Sequence, residues 1–502
     1  MKGVQLTRMM KKEMFHNGSV TPAGRFSTLL ATLLILFSSC LSTGDTPAAI
    51  TGKVTSDEGG LPNVVVTDGY QCVLTGMDGS FRLVPHQDAR FIYLSTPAGY
   101  LPVEEMQVPR FYIPIEGNSS KHYDFSLKKN PRDDIRQLLL VSADPQFHKK
   151  ENFARYAGVV DDMLQLKAEY PDRDILGLDC GDIVGDKPEL YPLYIEQLNH
   201  AGIPFYRMPG NHDLQFGGRS TETSTERYEK SFGPDHYSFN RGAVHYVVLN
   251  NVFYVGRDYY YMGYIDEKIF TWLEQDLAHV PEGSTLILSM HIPGRLDESV
   301  KPFQYNSRTI SAQTINIASL FEMLKPYKVH LFTGHMHYNR NIIHSENLYE
   351  HNTGAVSGAW WQGDYCLDGT PMGYGVYEID GSEVNWYFKS VGEDRDHQMR
   401  VYAPNTTSMY DKDVVANIWN WDKNWEVKWQ EDGVEMGTMT RFEGLDPEVE
   451  KAYSDKEKLE FSWIAPELTD HLFRATPRRD DSKITVTAAD PFGRVYEETI
   501  SR

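Results

Sequence analysis

Five short apolar runs punctuate the middle of the chain, and each is followed within a few residues by a polar cluster rich in Gly, Asp, Asn or His. Leu138-Leu139-Leu140-Val141 is a continuous run of buried-strand length and ends at Asp144-Pro145-Gln146. Ile175 to Leu178 stops just before Gly181-Asp182, and Ile203-Pro204-Phe205-Tyr206 feeds Gly210-Asn211-His212-Asp213. Thr285 to Leu288 delivers His291, and Val329 to Phe332 delivers Gly334-His335-Met336-His337. Val244, Tyr246, Val248 and Leu249 mark a further strand. Between the runs the spacing turns helical. From Asn152 to Tyr170 the positions Phe153, Tyr156, Ala157, Val160, Met163, Leu164 and Lys167 keep it until Pro171 ends it, and helices are also expected over Leu193 to His200, Glu267 to Leu277 and Ile315 to Leu324. A βαβα order of this kind places the strands in one sheet with the polar clusters at their C-terminal ends.

The flanks read differently. Over residues 49–130, Ile50, Val54, Val64 and Val66 alternate with polar positions, and Gly59-Gly60, Asp68-Gly69 and Asp78-Gly79 supply turns, so a small all-β module is predicted. The charged break from Lys128 to Asp134, with Pro131 inside it, separates that module from a central domain over 131–394. A C-terminal β domain over 395–502 follows from strand-like Val414 to Trp421, Trp425 to Trp429 and Ile484 to Thr487, with Asp432-Gly433 and Phe492-Gly493 as turns. Trp419 and Trp421 fall on one face of the first of these strands, a pair expected in a core more often than stacked on a sugar or lipid.

Composition narrows the class. At 502 residues the chain exceeds the size at which one core stops growing, and 41% hydrophobic with 24% charged residues is ordinary for a globular protein. A net charge of -21 argues against the phosphates of nucleic acid as the main partner. Lys2, Arg8, Lys11, Lys12 and Arg25 precede the apolar run Phe26 to Phe37, which meets Ser38-Ser39-Cys40. That layout is a signal peptide over 1–40, too short for a membrane span of about 20 residues. Small residues directly before a cysteine resemble a bacterial lipobox, with Cys40 as the lipidated first residue of a chain secreted across the inner membrane and anchored in the cell envelope; a plain secretory signal is the alternative. Cys40, Cys72, Cys180 and Cys366 form no zinc framework, and Cys180 reads as a small buried side chain.

The polar clusters carry the chemistry. Asp144, Gln146, Asp182, Asn211, His291, His335 and His337 offer carboxylate, amide oxygen and imidazole, donors suited to two divalent ions of the manganese, iron and zinc group. Ions about 3.5 to 4 Å apart can share a carboxylate and clamp a phosphoryl group, and Asp182 is the best shared carboxylate.

In order and spacing these clusters resemble the five motifs of calcineurin-like metallophosphoesterases, over roughly residues 136–390. The flanks are similar to those of secreted bacterial members, the first resembling transthyretin-like or carboxypeptidase-regulatory-like β-sandwiches. The resemblance implies an α/β fold, a four-layer sandwich of two mixed sheets flanked by helices, with all-β domains at both ends. It implies one metal held by Asp144, Gln146, Asp182 and His337 and a second by Asp182, Asn211, His291 and His335. It further implies hydrolysis of phosphoric esters by a metal-bridging hydroxide, with His212 assisting the leaving oxygen. Two departures stand out. Gln146 occupies a place where the family usually has His, and Gly185-Asp186 replace the Asp and Arg of phosphoprotein phosphatases, leaving Asp186 or Asp213 to orient His212. The chain does not resemble that protein phosphatase branch.

Substrate is the least determined feature. Trp361, Asp368 and Tyr374, in a Gly-rich aromatic segment after the last histidines, either line the substrate site or form a packed turn. Phosphorylated small molecules, glycans or lipids all fit, and diesters are favoured over monoesters because no Arg-rich clamp for a dianion is evident. The rival reading is an envelope binding protein for glycan or lipid in which the weakened first metal site has abolished turnover.

Overall fold

Alternation along the strand Arg136–Ser142 sets the layering. Leu138 and Leu140 pack under the helices Asn152–Glu169 and Tyr191–Ala201, against Tyr156, Val160, Met163, Tyr194 and Leu198. Leu139 and Val141 point the other way and join Leu176 and Leu178 in meeting Tyr246, Val248, Ile287 and Phe332 of a second sheet. The far face of that second sheet, with Val247, Leu286, Leu288 and Leu331, is covered by Glu267–Leu277 and Ile317–Leu324 through Ile269, Trp272, Leu273, Leu320 and Leu324. The order helix, sheet, sheet, helix is the four-layer α/β sandwich. These observations come from a computed structural model that describes residues 49–501 apart from 117–121, 219, 257–259, 297–305, 408 and 480.

Both central sheets are mixed. In the first, Phe205–Arg207, Asp174–Asp179 and Arg136–Ser142 run parallel, and Gly373–Asp380 and Glu383–Ser390 add antiparallel to the Arg136–Ser142 edge. The second has the order Tyr237–Arg241, Val244–Val248, Thr285–Ser289, Lys328–Thr333, Leu348–Asn352, Arg340–Ser345, with three parallel pairings in its middle. The strands that carry the polar clusters are therefore divided between two facing sheets instead of lying in one. The Asp, Gln and Asn positions come from the first sheet, and His291, His335 and His337 come from the second. βαβ order alone cannot reveal that split, because both halves read as the same repeat.

The flanking regions are β-rich. Two four-stranded sheets over residues 50–126 enclose Ile50, Val54, Val64, Val66, Ile92 and Leu94. Two more, one with Val414–Ile418 and Thr469–Ala475 and the other with Glu426–Glu431 and Ile484–Ala489, enclose Val414, Ala416, Val427, Trp429 and Val486. The strand Val414–Ile418 ends before Trp419, so Trp419 and Trp421 do not share a strand face. Trp419 is buried, and Trp421 lies under the guanidinium of Arg441. The short helix Pro447–Tyr453, capped by Asp446, interrupts the C-terminal β region. The predicted signal segment and Cys40 lie outside the described residues. No helix among the described residues is long and apolar enough to cross a membrane.

Candidate metal centre

Each polar cluster follows a strand's C-terminal end, and at three of the five the backbone is bent into an unusual conformation. Asp144, Gln146, Asp182, Asp186, His335 and His337 all have positive φ, which costs on the order of 1–3 kcal/mol at each non-glycine residue and is held in place by surrounding structure. Two glycines make the crowding possible. A β-carbon on Gly210 would sit 2.1 Å from the backbone nitrogen of Asp182, and one on Gly334 would sit 2.7 Å from Asp144 Oδ2.

The side chains so placed fall into two groups that meet at Asp182. In the first, His337 Nε2 lies 3.8 Å from Asp144 Oδ1, and Gln146 donates its amide Nε2–H to Asp182 Oδ2 at 2.8 Å. Asp144 Oδ1, Gln146 Oε1 and His337 Nε2 are all buried without a hydrogen-bond partner. Buried lone-pair atoms left bare are expensive unless a cation or ordered water satisfies them. In the second group, ligand atoms of Asp182, His291 and His335 lie within 4.8 Å of one another, and Asn211 Oδ1 is 3.1 Å from His291 Nε2. The donor types, carboxylate, amide oxygen and imidazole, fit divalent ions of the manganese, iron and zinc group.

Backbone carbonyls fix how the imidazoles face. His291 donates its Nδ1–H to the Cys180 carbonyl at 2.6 Å, and His337 donates Nδ1–H to Gly358 at 2.7 Å, so each presents Nε2 inward. His335 donates Nε2–H to Ser311 at 3.0 Å and presents Nδ1 instead. Asp144 Oδ2 accepts the backbone N–H of His335 at 2.8 Å, and Asp182 Oδ1 accepts that of His212 at 2.8 Å.

The electrostatics follow from burial and mutual contact. Burial, helped by the charge of His291, pushes His335 down to about 3, and burial pushes His337 down to about 4, so both are neutral imidazoles near pH 7. Burial also raises Asp144, with the neighbouring Asp182 adding to it. Asp182 is itself lowered, since His291 and His212 outweigh its burial. Burial works against charge on His291, but Asp182 and Asp144 prevail and raise it to about 9. A proton on Nε2 of His291 then faces Asp182 Oδ1, 3.4 Å away, and must leave before that nitrogen can hold a metal.

His212 stands beside the two groups and in neither. Its Nδ1 is 2.9 Å from Asp186 Oδ1, and Asp182, Asp186 and Asp213 together overcome its burial and raise it to about 9. Of the two carboxylates expected to orient it, the structure brings Asp186 and not Asp213. Asp213 is turned inward, where it accepts the backbone N–H of Gly210 at 2.8 Å and of Ile183 at 3.1 Å and the hydroxyl of Tyr191 at 2.8 Å, closing the loop on which His212 sits. Burial and the Asp182 charge raise Asp213 to about 7.

The three positions expected either at the substrate or in a packed turn are all buried, Tyr374 on the strand Gly373–Asp380. Tyr374 is fully buried and donates its hydroxyl to Asp162 at 2.6 Å. Asp368 is also buried, accepting from the backbone N–H of Asn339 at 2.8 Å and contacting His471 Nε2 at 3.0 Å, which ties the central domain to the C-terminal one. Trp361 packs on Phe147 and donates its indole N–H to the Pro145 carbonyl at 2.9 Å, bracing the Asp144 loop from behind. Its neighbour Trp360, not singled out in the sequence, stacks on the His337 ring at 3.8 Å, with Trp463 of the C-terminal region 6.4 Å beyond. The adjacent Trp360-Trp361 pair was the only signal, and it could not tell which ring turns outward. His148 belongs to neither metal group; its Nε2 is 3.7 Å from Glu460.

A strand-end cluster of seven metal-type donors beside an imidazole, in a four-layer sandwich, defines a metallophosphoesterase domain. Three family models match in succession: the N terminal of calcineurin-like phosphoesterase over residues 48–130, calcineurin-like phosphoesterase over 139–339, and the C terminal of calcineurin-like phosphoesterase over 350–496. The chain thus carries the N-terminal, catalytic and C-terminal domains of the calcineurin-like phosphoesterases. A 3′,5′-cyclic-nucleotide phosphodiesterase of Nostoc sp. is 30% identical over 180 residues, which is 35% of this chain and 60% of that protein. Among solved structures, a dimetal phosphatase from Danio rerio is similar over 51% of this chain and 97% of its own, at 14% identity and a TM-score of 0.35. A 5′-nucleotidase from Candida albicans is similar over 53% of each chain, at 13% identity and a TM-score of 0.33.

Proposed function

We propose that the protein hydrolyses phosphodiesters with two divalent metal ions. The observation that carries this is the meeting of the two donor groups at Asp182, with three buried lone-pair atoms otherwise unsatisfied on one side and His212 beside them. Asp144, Gln146, Asp182 and His337 would hold one ion, and Asp182, Asn211, His291 and His335 the other. Bound there, such ions supply positive charge to the phosphoryl oxygens and make water acidic enough to attack phosphorus near neutral pH.

The chain's own residues supply the rest. His212, charged near pH 7, is placed to give a proton to the leaving oxygen, and Asp186 holds its ring by Nδ1 so that Nε2 is the donating atom. The strained loops fix the donors before substrate arrives, so little reorganisation remains during the reaction. The cyclic-nucleotide phosphodiesterase named above supports the diester preference.

With added manganese, the protein should turn over bis(p-nitrophenyl) phosphate faster than p-nitrophenyl phosphate. His212→Ala should keep its metals and lose about 10²–10⁴-fold in rate. Absence of metal-stimulated turnover of either ester would defeat the enzyme reading. We propose in addition that Cys40 is acylated and anchors the secreted chain in the bacterial cell envelope, which mass spectrometry of the mature N-terminus tests.

A further inference from the structure

Beside the metal-type donors, the C-terminal region contributes aromatic side chains. Trp360 lies flat on the His337 ring, 3.8 Å between centroids at 13°, and Trp463 meets Trp360 edge-on at 6.4 Å. Trp463 in turn stacks on Phe461 at 4.5 Å, and Phe461 touches the His148 ring at 5.0 Å. His148 closes the circuit, because its Cβ lies 3.2 Å from where a side chain on Gly185 would begin, one residue from the Asp186 that holds His212. These contacts run from a metal-type donor out to the C-terminal region and back to the loop that carries Asp186, so the aromatic rings lie beside the residues that carry the chemistry.

The segment bearing them is anchored. Ile464 is buried against Ala359, Leu367, Val449 and Tyr453, the Glu460 N–H donates to Gln362 Oε1 at 2.8 Å, and Lys149 pairs with the Glu460 carboxylate. Trp463 nevertheless remains 63% exposed, the most open tryptophan or phenylalanine among the large hydrophobic residues on the described surface. Its exposed indole lies two ring contacts from His337, within reach of a ligand held at the donor groups.

We propose that Trp463, backed by Phe461 and Trp360, is a stacking platform for the nucleobase of a nucleotide phosphodiester whose phosphorus lies at the metal centre. The proposal rests on the hydrolase reading above and names its substrate class. A base stacks through a π face while its hydrogen-bonding edges stay in water, so an exposed indole binds it with tolerance for base identity. The C-terminal domain thereby selects substrate, while the central domain carries the reaction.

The test compares a nucleoside 3′,5′-cyclic phosphate with its base-free counterpart, 1-deoxyribose 3′,5′-cyclic phosphate, using the manganese-loaded full chain. Trp463→Ala should raise KM for the nucleotide about tenfold with kcat nearly unchanged, leave the base-free ester unaffected, and be largely rescued by Trp463→Phe. An unshifted melting temperature shows that the exposed substitution leaves the fold intact. If the wild type turns over both esters but Trp463→Ala changes neither, or both alike, the platform is refuted while the hydrolase stands. Should the wild type prefer the base-free ester, the nucleobase assignment falls. If the wild type turns over neither ester but still cleaves bis(p-nitrophenyl) phosphate, the substrate class is refuted; if it cleaves none of the three, the hydrolase reading fails as well.

Discussion

His212 Nδ1 lies 2.9 Å from Asp186 Oδ1, four residues after the Asp182 that receives the His212 backbone N–H. One loop thus holds the ring and the backbone of the proton donor at once. His212 is raised to about 9, so its charged form persists through neutral pH and is lost as pH rises through that value. The rate should accordingly fall on the alkaline side. Cations at Asp182 offset part of that carboxylate's influence, leaving Asp186 the larger share. Asp186→Asn is expected to move the alkaline limb down by roughly one unit and to lower kcat about tenfold. A pH–rate profile unchanged by the substitution would detach Asp186 from the reaction.

Metal removal should expose opposing pH dependences, with the buried His335 and His337 binding fewer protons in the folded chain than in the unfolded one and Asp144 and Asp213 binding more. Asp144 and Asp213 are raised in the folded chain, Asp213 to about 7, whereas unfolded carboxyls titrate near 4. Between those values these carboxyls bind more protons in the folded state than in the unfolded one. The stability these groups add is complete below about pH 4 and is lost as pH rises through about 7. Metal should counter the loss most at the alkaline end, where Asp144 and His291 shed protons readily. Thermal unfolding with chelator and with manganese, at intervals from pH 5 to 8, should show a metal-induced rise in Tm that grows with pH; an equal rise throughout would contradict it.

Tyr374→Phe separates packing from substrate contact. The hydroxyl donates to Asp162, which also accepts from Lys389 Nζ at 2.6 Å and from the Gly392 N–H at 2.7 Å, so its loss leaves no bare carboxylate. A cost of about 1 kcal/mol in stability with unchanged KM is expected. A raised KM would return Tyr374 to the substrate site.

The strand-end placement of the candidate donors was legible from the chain because they follow apolar runs of buried-strand length. Leu138 to Val141 fixes the position of Asp144, and Val329 to Phe332 fixes that of His337. The division of strands between two sheets was not legible from element order, since Leu139 and Leu140 read alike although they face different layers. Asp186 could not be ranked above Asp213, because the outcome depends on the left-handed turn at Asp186, which sequence spacing does not disclose. The rings around Trp463 were missed for a different reason. Phe461 and Trp463 lie more than a hundred residues from His337, and only tertiary packing joins them.

Gln146 departs from the usual histidine, and its placement suggests that the amide is a working donor. Nε2 is committed to Asp182, and Oε1 is buried without a hydrogen-bond partner. Gln146→Ala should therefore weaken one ion and spare the other, visible as biphasic loss of metal during chelator titration with only the first phase shifted, by about 10–100-fold in affinity. Identical titrations for variant and wild type would show that the amide oxygen does not bind.

The central claim is that two donor groups share Asp182, and elemental analysis of metal per chain tests it most directly. Protein loaded with manganese and freed of excess should carry two ions, and Asp182→Asn, if folded, should hold at most one and hold it weakly. A wild type that binds a single ion at saturation, or an Asp182→Asn variant that still retains two, would contradict the account.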